Sequence, residues 1–169
     1  MLLQPLPPGF IDHAYAFEVS VDASNESVWR WLNDPKTFTD TQYWPFRVEF
    51  YSPDTESIPN GFNEGVLTNH HGPLLNLPGE LVEIKSNEYR DLQYNYGSYV
   101  IGFRLIRPYR LEFWTESNGD QTIIKCKLSS YVKPSIAGSW TSAQKVFWKR
   151  FKRWSKKAIP KLERTSTPH

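Results

Sequence analysis

His70 and His71 stand side by side, and imidazole is the side chain that carries protons near neutral pH. Adjacent strand residues point to opposite faces, so the two rings cannot easily close on one metal ion. One is expected to face inward and the other outward. A pair alone lacks the positioning geometry of acid–base catalysis, so no catalytic residue is assigned, and His70 is read as a wall residue of a binding site. No H-E-x-x-H or similar ligand spacing occurs. The single cysteine, Cys126, excludes a Cys-cluster zinc site and an internal disulfide framework. Neither a metal nor a cofactor is expected.

The remaining chemistry-bearing residues each have two readings. Tyr94, Tyr96 and Tyr99 offer an apolar body with one polar tip, which suits a ligand bearing a hydroxyl or carbonyl; plain strand packing uses the same residues. Arg104, between Phe103 and Leu105, points away from them and is expected at the surface. Cys126 is in phase with Ile124 and Leu128, which predicts an inert core thiol. Glu112 and Glu116 share a face, and paired carboxylates invite an acid–base role. However, Leu111 and Phe113 mark the opposite face as the buried one, so both acids are expected in solvent. From Trp148 to Trp154 bases alternate with rings, as in nucleic-acid stacking or an interfacial helix. Phe151 and Trp154 fall on an apolar stripe, which leaves the bases on its solvated face and only Trp148 off it. No nucleic-acid partner is expected. There is no Gly-rich phosphate loop and no nucleophile elbow.

The elements that must position these residues follow from periodicity. His13–Val21 alternates as a strand, with Tyr15, Phe17, Val19 and Val21 on one face. Ser24 caps a first helix through Leu32, and Asp34-Pro35 opens a short second one through Phe38. Strands are expected from Phe46, over Phe62–His70, from Glu80, through Leu92, Tyr94 and Tyr96, again from Tyr99 to Leu105, and as a hairpin across Asn118-Gly119-Asp120. Pro53–Gly61 reads as a turn-rich connection. Trp140, Ala143, Phe147, Phe151, Trp154 and Ala158 recur at three and four, giving a long amphipathic helix that Pro160 should end near Ile159. The fold class is α+β: six to seven antiparallel strands curved around one long C-terminal helix, with two short helices after the first strand. Residues 1–12 are expected as an extended arm, 13–162 as one domain and 163–169 as a disordered tail.

Composition sets the frame. The chain has 169 residues with 39% hydrophobic and 22% charged, and no apolar run of spanning length. Its outlier is the ring content: 7 Trp, 9 Tyr and 10 Phe, enough for a large core or a ring-walled cavity. Net charge is +2, yet nine of the 20 Lys and Arg lie between Lys145 and Arg164 against one acid, Glu163. The last helix is therefore basic and the body acidic. Lys149, Lys152, Arg153 and Lys156 could meet an anionic membrane. The lone cysteine fits a reducing cytoplasm, and the N-terminus lacks the basic and apolar regions of a signal peptide.

Val21-Asp22-Ala23-Ser24-Asn25-Glu26-Ser27-Val28-Trp29 followed by Asn33-Asp34-Pro35, with Asn118-Gly119-Asp120-Gln121-Thr122 at the last hairpin, resembles the START/polyketide-cyclase-like (SRPBCC) helix-grip superfamily. The resemblance spans Ala14 to Leu162. It implies a cavity between sheet and long helix for a lipid, sterol or polyketide-like molecule, and shares no universal catalytic motif. The expected function is ligand binding, non-enzymatic or at most weakly enzymatic. Trp140, Phe147 and Phe151 would close one side; Trp44, His70, Tyr94, Tyr96 and Tyr99 would line the other. A cyclase- or dehydratase-type enzyme and a membrane- or partner-docking module are the alternatives.

Overall fold

Alternating side chains, helix caps and one satisfied polar pair explain the elements. The computed structural model describes residues 4–42, 44–52, 61–101 and 104–166. The expected connection Pro53–Gly61 falls almost wholly outside the described residues, as do Phe103 and the final three residues. Strand β1 (Ile11–Val21) buries Val19 and Val21. The Ser24 hydroxyl accepts the Ser27 N–H and caps α1 (Asn25–Asn33), which buries Val28, Trp29, Trp31 and Leu32. Asp34 caps α2 (Pro35–Thr39) by accepting the Lys36 N–H at 2.9 Å.

There follow β2 (Arg47–Tyr51), β3 (Leu67–Gly72), β4 (Leu75–Lys85), β5 (Tyr89–Tyr94), β6 (Tyr99–Val100), β7 (Ile106–Asn118) and β8 (Gln121–Val132). All pairs are antiparallel, in the order β1-β8-β7-β5-β4-β3-β2, with β6 bridging β4 and β7. The sheet thus has eight strands rather than six or seven. β3 starts at Leu67, not Phe62: Phe62 and Val66 plug the core from the preceding loop. The expected strand from Tyr99 to Leu105 stops at Val100 because Ile101 and Arg104 take positive φ, which leaves the pleat. Residues 11 and 12 belong to β1 rather than to the arm.

A single helix, α3 (Ala137–Ser166), closes the grip. Its buried face is Gln144, Trp148, Phe151, Ser155 and Ile159. It shares Phe151 with the stripe expected on apolar counting, keeps Trp140, Trp154 and Ala158 half-buried beside it, and is turned from that stripe by roughly 70°. Phe147 is exposed and Trp148, expected to stand free, is buried. The cause is internal satisfaction of polar groups. The Trp148 indole N–H donates to the Gln144 side chain, and the Ser155 hydroxyl donates to the Lys152 carbonyl, so both polar residues can enter the core. Pro160 does not end the helix; it removes one helical N–H and the chain continues to Ser166. The end is latched instead: the Glu163 carboxylate accepts the Ser24 N–H at 2.9 Å, at the start of α1. Residues 163–166, expected in the tail, are the last turn of α3.

Trp148 and Phe151 pack on Phe17 of β1, with ring centroids at 4.9 and 5.9 Å, and Phe151 stands 5.9 Å from Phe113 of β7. Trp154 meets Trp31 of α1 at 4.5 Å. The helix therefore sits directly on the β1 side of the sheet. Phe38, Phe50 and Phe62 continue the ring cluster towards β2.

Candidate functional site

Beyond the ground that α3 covers, the concave face carries polar groups. On β5 the residues facing inward are Arg90, Leu92 and Tyr94, and register places Arg90 opposite Phe113, which faces Cys126, which faces Phe17. The Arg90 guanidinium lies 5.0 Å from the Phe62 ring centroid, 5.1 Å from Phe113 and 5.4 Å from Phe38. Its Nη1 donates to the Leu32 carbonyl, one of the unpaired acceptors in the last turn of α1. Among the described residues it has no carboxylate partner. Burial lowers its pKa to about 10, so it stays charged at neutral pH. A guanidinium has five N–H donors; this one is 6% exposed and spends one side-chain hydrogen bond on protein. Ring faces offset part of the cost of burying the charge, but they satisfy no N–H along the guanidinium plane.

Tyr94 lies four residues beyond Arg90 on the same face and is buried, which raises its phenol pKa. Gly79 on β4 makes room for it: a Cβ there would come within 3.1 Å of Tyr94 Cδ1 and 2.7 Å of the Gln93 carbonyl. His70 of β3 meets the Tyr94 ring edge-on at 5.9 Å. Burial, then the Arg90 charge, lowers the His70 pKa to about 4, so its ring is neutral at pH 7. Yet part of the His70 surface remains open. His71 faces outward and lies 3.4 Å from Glu49, so the two histidines part as strand geometry requires.

The structure separates the sequence-selected residues. His70, Tyr94 and Phe151 reach the interior. Trp140 is half-buried, and its indole N–H is buried with no hydrogen-bond partner among the described residues. Tyr99 is half-buried on β6 under the Arg104 guanidinium, 6.0 Å away. Trp44, Tyr96 and Phe147 are 87%, 70% and 61% exposed and do not wall the interior. Trp44 lies in the loop before β2, Tyr96 falls beyond the end of β5 where alternation stops, and Phe147 is displaced by the rotation of α3. On α3, Lys149, Arg153 and Lys156 are exposed, while the Lys152 ammonium sits 5.1 Å over the Phe17 ring. Arg104 is exposed, and Cys126 is a buried free thiol with its pKa pushed up by burial.

Sequence reading missed Arg90, although the signal was present: it stands two residues before Leu92, in phase with Tyr94. It also misplaced Glu112. Leu111, Glu112 and Phe113 are all buried, because the convex face carries an ionic layer of its own. Arg110 lies 2.9 Å from Asp91 and 3.4 Å from Glu112, and the Tyr89 hydroxyl donates to Glu112 at 3.0 Å. Among the described residues no group of three His, Cys, Asp or Glu is placed to hold a metal ion.

No family model matches the chain, and no curated protein matches it. Solved structures do. Norcoclaurine synthase from Thalictrum flavum, in complex with dopamine and hydroxybenzaldehyde, superposes with a TM-score of 0.65 at 14% identity, covering 100% of this chain and 98% of that one. Protein MLL2253 from Mesorhizobium loti gives 0.62 at 16% identity, covering 92% and 100%. DynU16, a putative protein of the dynemicin biosynthetic locus, gives 0.56 at 12% identity, covering 87% of this chain and 48% of that one. The likeness is one of fold: this chain has the helix-grip fold.

Proposed function

We propose that this helix-grip chain binds a small, largely apolar molecule carrying a carboxylate or carbonyl oxygen. The oxygen would lie on Arg90, and the apolar body between β3–β5 and the rings of Phe38, Phe50 and Phe62. The observation that supports this reading most is a buried guanidinium with no counter-ion among the described residues. A charge kept in that state is costly unless something oxygen-bearing completes it. Neutral His70 and the Tyr94 hydroxyl stand beside it to orient the same head group. Norcoclaurine synthase holds dopamine and hydroxybenzaldehyde in this fold, which supports an aromatic body as the first choice. A lipid or polyketide-like body remains within the reading.

Pairs of probes test it: naphthoate and laurate against naphthylmethanol and dodecanol, by thermal shift and native mass spectrometry. The acids should raise Tm and bind. Arg90→Met should weaken the acids roughly tenfold or more, the loss of a charge-assisted contact, and leave the alcohols nearly unchanged. Acids and alcohols binding equally in both proteins, or nothing binding, would count against the proposal.

A second reading is favoured by the same trio. A neutral imidazole, a phenol and a guanidinium on one inner face can move a proton and polarise a carbonyl, which is what a cyclase-type reaction needs. Under that reading His70→Gln would abolish turnover of a polyketide-like substrate while retaining its binding.

A further inference from the structure

Among the described residues, one end of the molecule is poor in acids. The pairs Arg47↔His71, Gly72↔Leu75, Leu75↔Val100, Val100↔Ile106 and Ile106↔Val132 line up the rim formed by the starts of β2, β4 and β7 and the ends of β3, β6 and β8. Trp44, Phe46, Leu74 and Ile101 stand exposed there. They share the rim by contact as well as by register. The Ile101 N–H donates to the Leu74 carbonyl at 2.6 Å, and the Phe46 ring lies over Gly72, where any Cβ would collide with it. Stretches 44–48, 70–79, 94–111 and 132–162 contain no Asp or Glu. They do contain Arg47 and Arg104, both exposed, and Arg107 and Lys133, which flank the Phe10 ring at 4.8 and 4.3 Å. Those two also border a surface pocket of about 490 Å³ with Tyr96 and the proline-rich arm. The nearest acids are Glu49, which takes the Tyr51 hydroxyl and faces His71, Asp12, which takes the Tyr109 hydroxyl, and the exposed Asp40 ahead of Trp44; they are outnumbered by Arg47, Arg104, Arg107 and Lys133.

We infer that this rim docks on an anionic bilayer, with Trp44, Phe46, Leu74 and Ile101 entering the headgroup boundary and Arg47 and Arg104 meeting lipid phosphates. Large apolar side chains held in water mark an interface. Indole is the side chain that settles at headgroup level. Cations that outnumber the acids beside them select a negative surface. The apolar groups project from separate loop tips rather than forming one flat face, and a fluid bilayer accommodates that where a rigid protein surface does not. The basic side of α3 adds long-range attraction of the same sign. The inference stands independently of any interior ligand.

The test uses the full chain carrying Leu74→Cys labelled with an environment-sensitive fluorophore, the native Cys126 being buried. It is mixed with vesicles of phosphatidylcholine alone or with about 30% phosphatidylserine, at about 0.1 M and about 0.5 M NaCl. Unlabelled protein is followed by flotation. The expected result is flotation with the anionic vesicles that weakens with salt, a blue shift of the probe, and a loss of about tenfold or more in partitioning for Trp44→Ser/Leu74→Ser. Circular dichroism confirms that the variant is folded. Absence of flotation, an unshifted probe on bound protein, or full binding by the double variant would overturn the inference. So would binding abolished by Lys149→Glu/Arg153→Glu/Lys156→Glu but untouched at the rim, which would place the membrane on α3.

Discussion

Two arginines on neighbouring strands, Arg90 of β5 and the half-exposed Arg110 of β7, behave differently, and each has its own consequence. Arg110, on the convex face, neutralises Asp91 and Glu112. Arg110→Met leaves two buried carboxylates facing each other with only Lys127, 3.7 Å from Glu112, to offset them, and we expect a loss of roughly 3 kcal/mol at pH 7, read from the urea midpoint. Arg90 has no such partner, and Arg90→Met exchanges an isolated buried cation for an apolar side chain of similar length. Its stability should change by no more than about 1–2 kcal/mol, the unsatisfied Leu32 carbonyl being the main cost. His70 adds a pH dependence. Its folded pKa of about 4 lies below the ordinary value of 6.5, so between these values the unfolded chain binds more protons. Stability is whole above pH 6.5, falls as pH drops, and is lost in full below about pH 4, by up to about 3 kcal/mol. His70→Gln should flatten that slope; an unaltered slope would show that His70 is not buried as described.

At the scale of elements, the caps of α1 and α2 were legible; the start of α3, expected at a Thr141–Gln144 capping box but found at Ala137, and its end were not. Ser24 and Asp34 announce α1 and α2 because a cap is a local signal. The face of α3 was read by counting apolar residues, and the answer turned on Gln144 and Ser155, whose polarity is absorbed inside the helix itself. Arg90 escaped for a related reason. Its charge argues for the surface, while its phase with Leu92 and Tyr94 argues for the interior, and the rings of Phe38, Phe62 and Phe113 that settle the matter come from distant parts of the chain. Pro160 looked like a stop, but a latch 139 residues away in sequence holds the last turn. Glu163→Ala should therefore fray the end of α3 and cost about 1 kcal/mol, seen as faster amide exchange beyond Pro160. The latch depends on an ionised carboxylate. Its pKa is lowered by the Ser24 contacts, so this contribution is present above the ordinary carboxylate pKa and fades as pH falls below it.

For the whole molecule, the order of elements and the rings were legible from the start, and the helix-grip fold follows from them. The location of open interior surface was not. α3 covers Phe17 and Phe113 closely, so the partly open surface lies nearer β3 and His70 than the middle of the long helix. Charge is divided just as unevenly, with few acids near the rim among the described residues and none in α3 before Glu163. The account rests on Arg90 as the group that receives an oxygen from a bound molecule. The Arg90 Nε–H resonance in an isotope-labelled sample, assigned by its disappearance in Arg90→Met, reports on that directly. Titration with naphthoate should shift it downfield and slow its exchange with water, while naphthylmethanol leaves it in place. A resonance unmoved by a saturating acid would contradict the account.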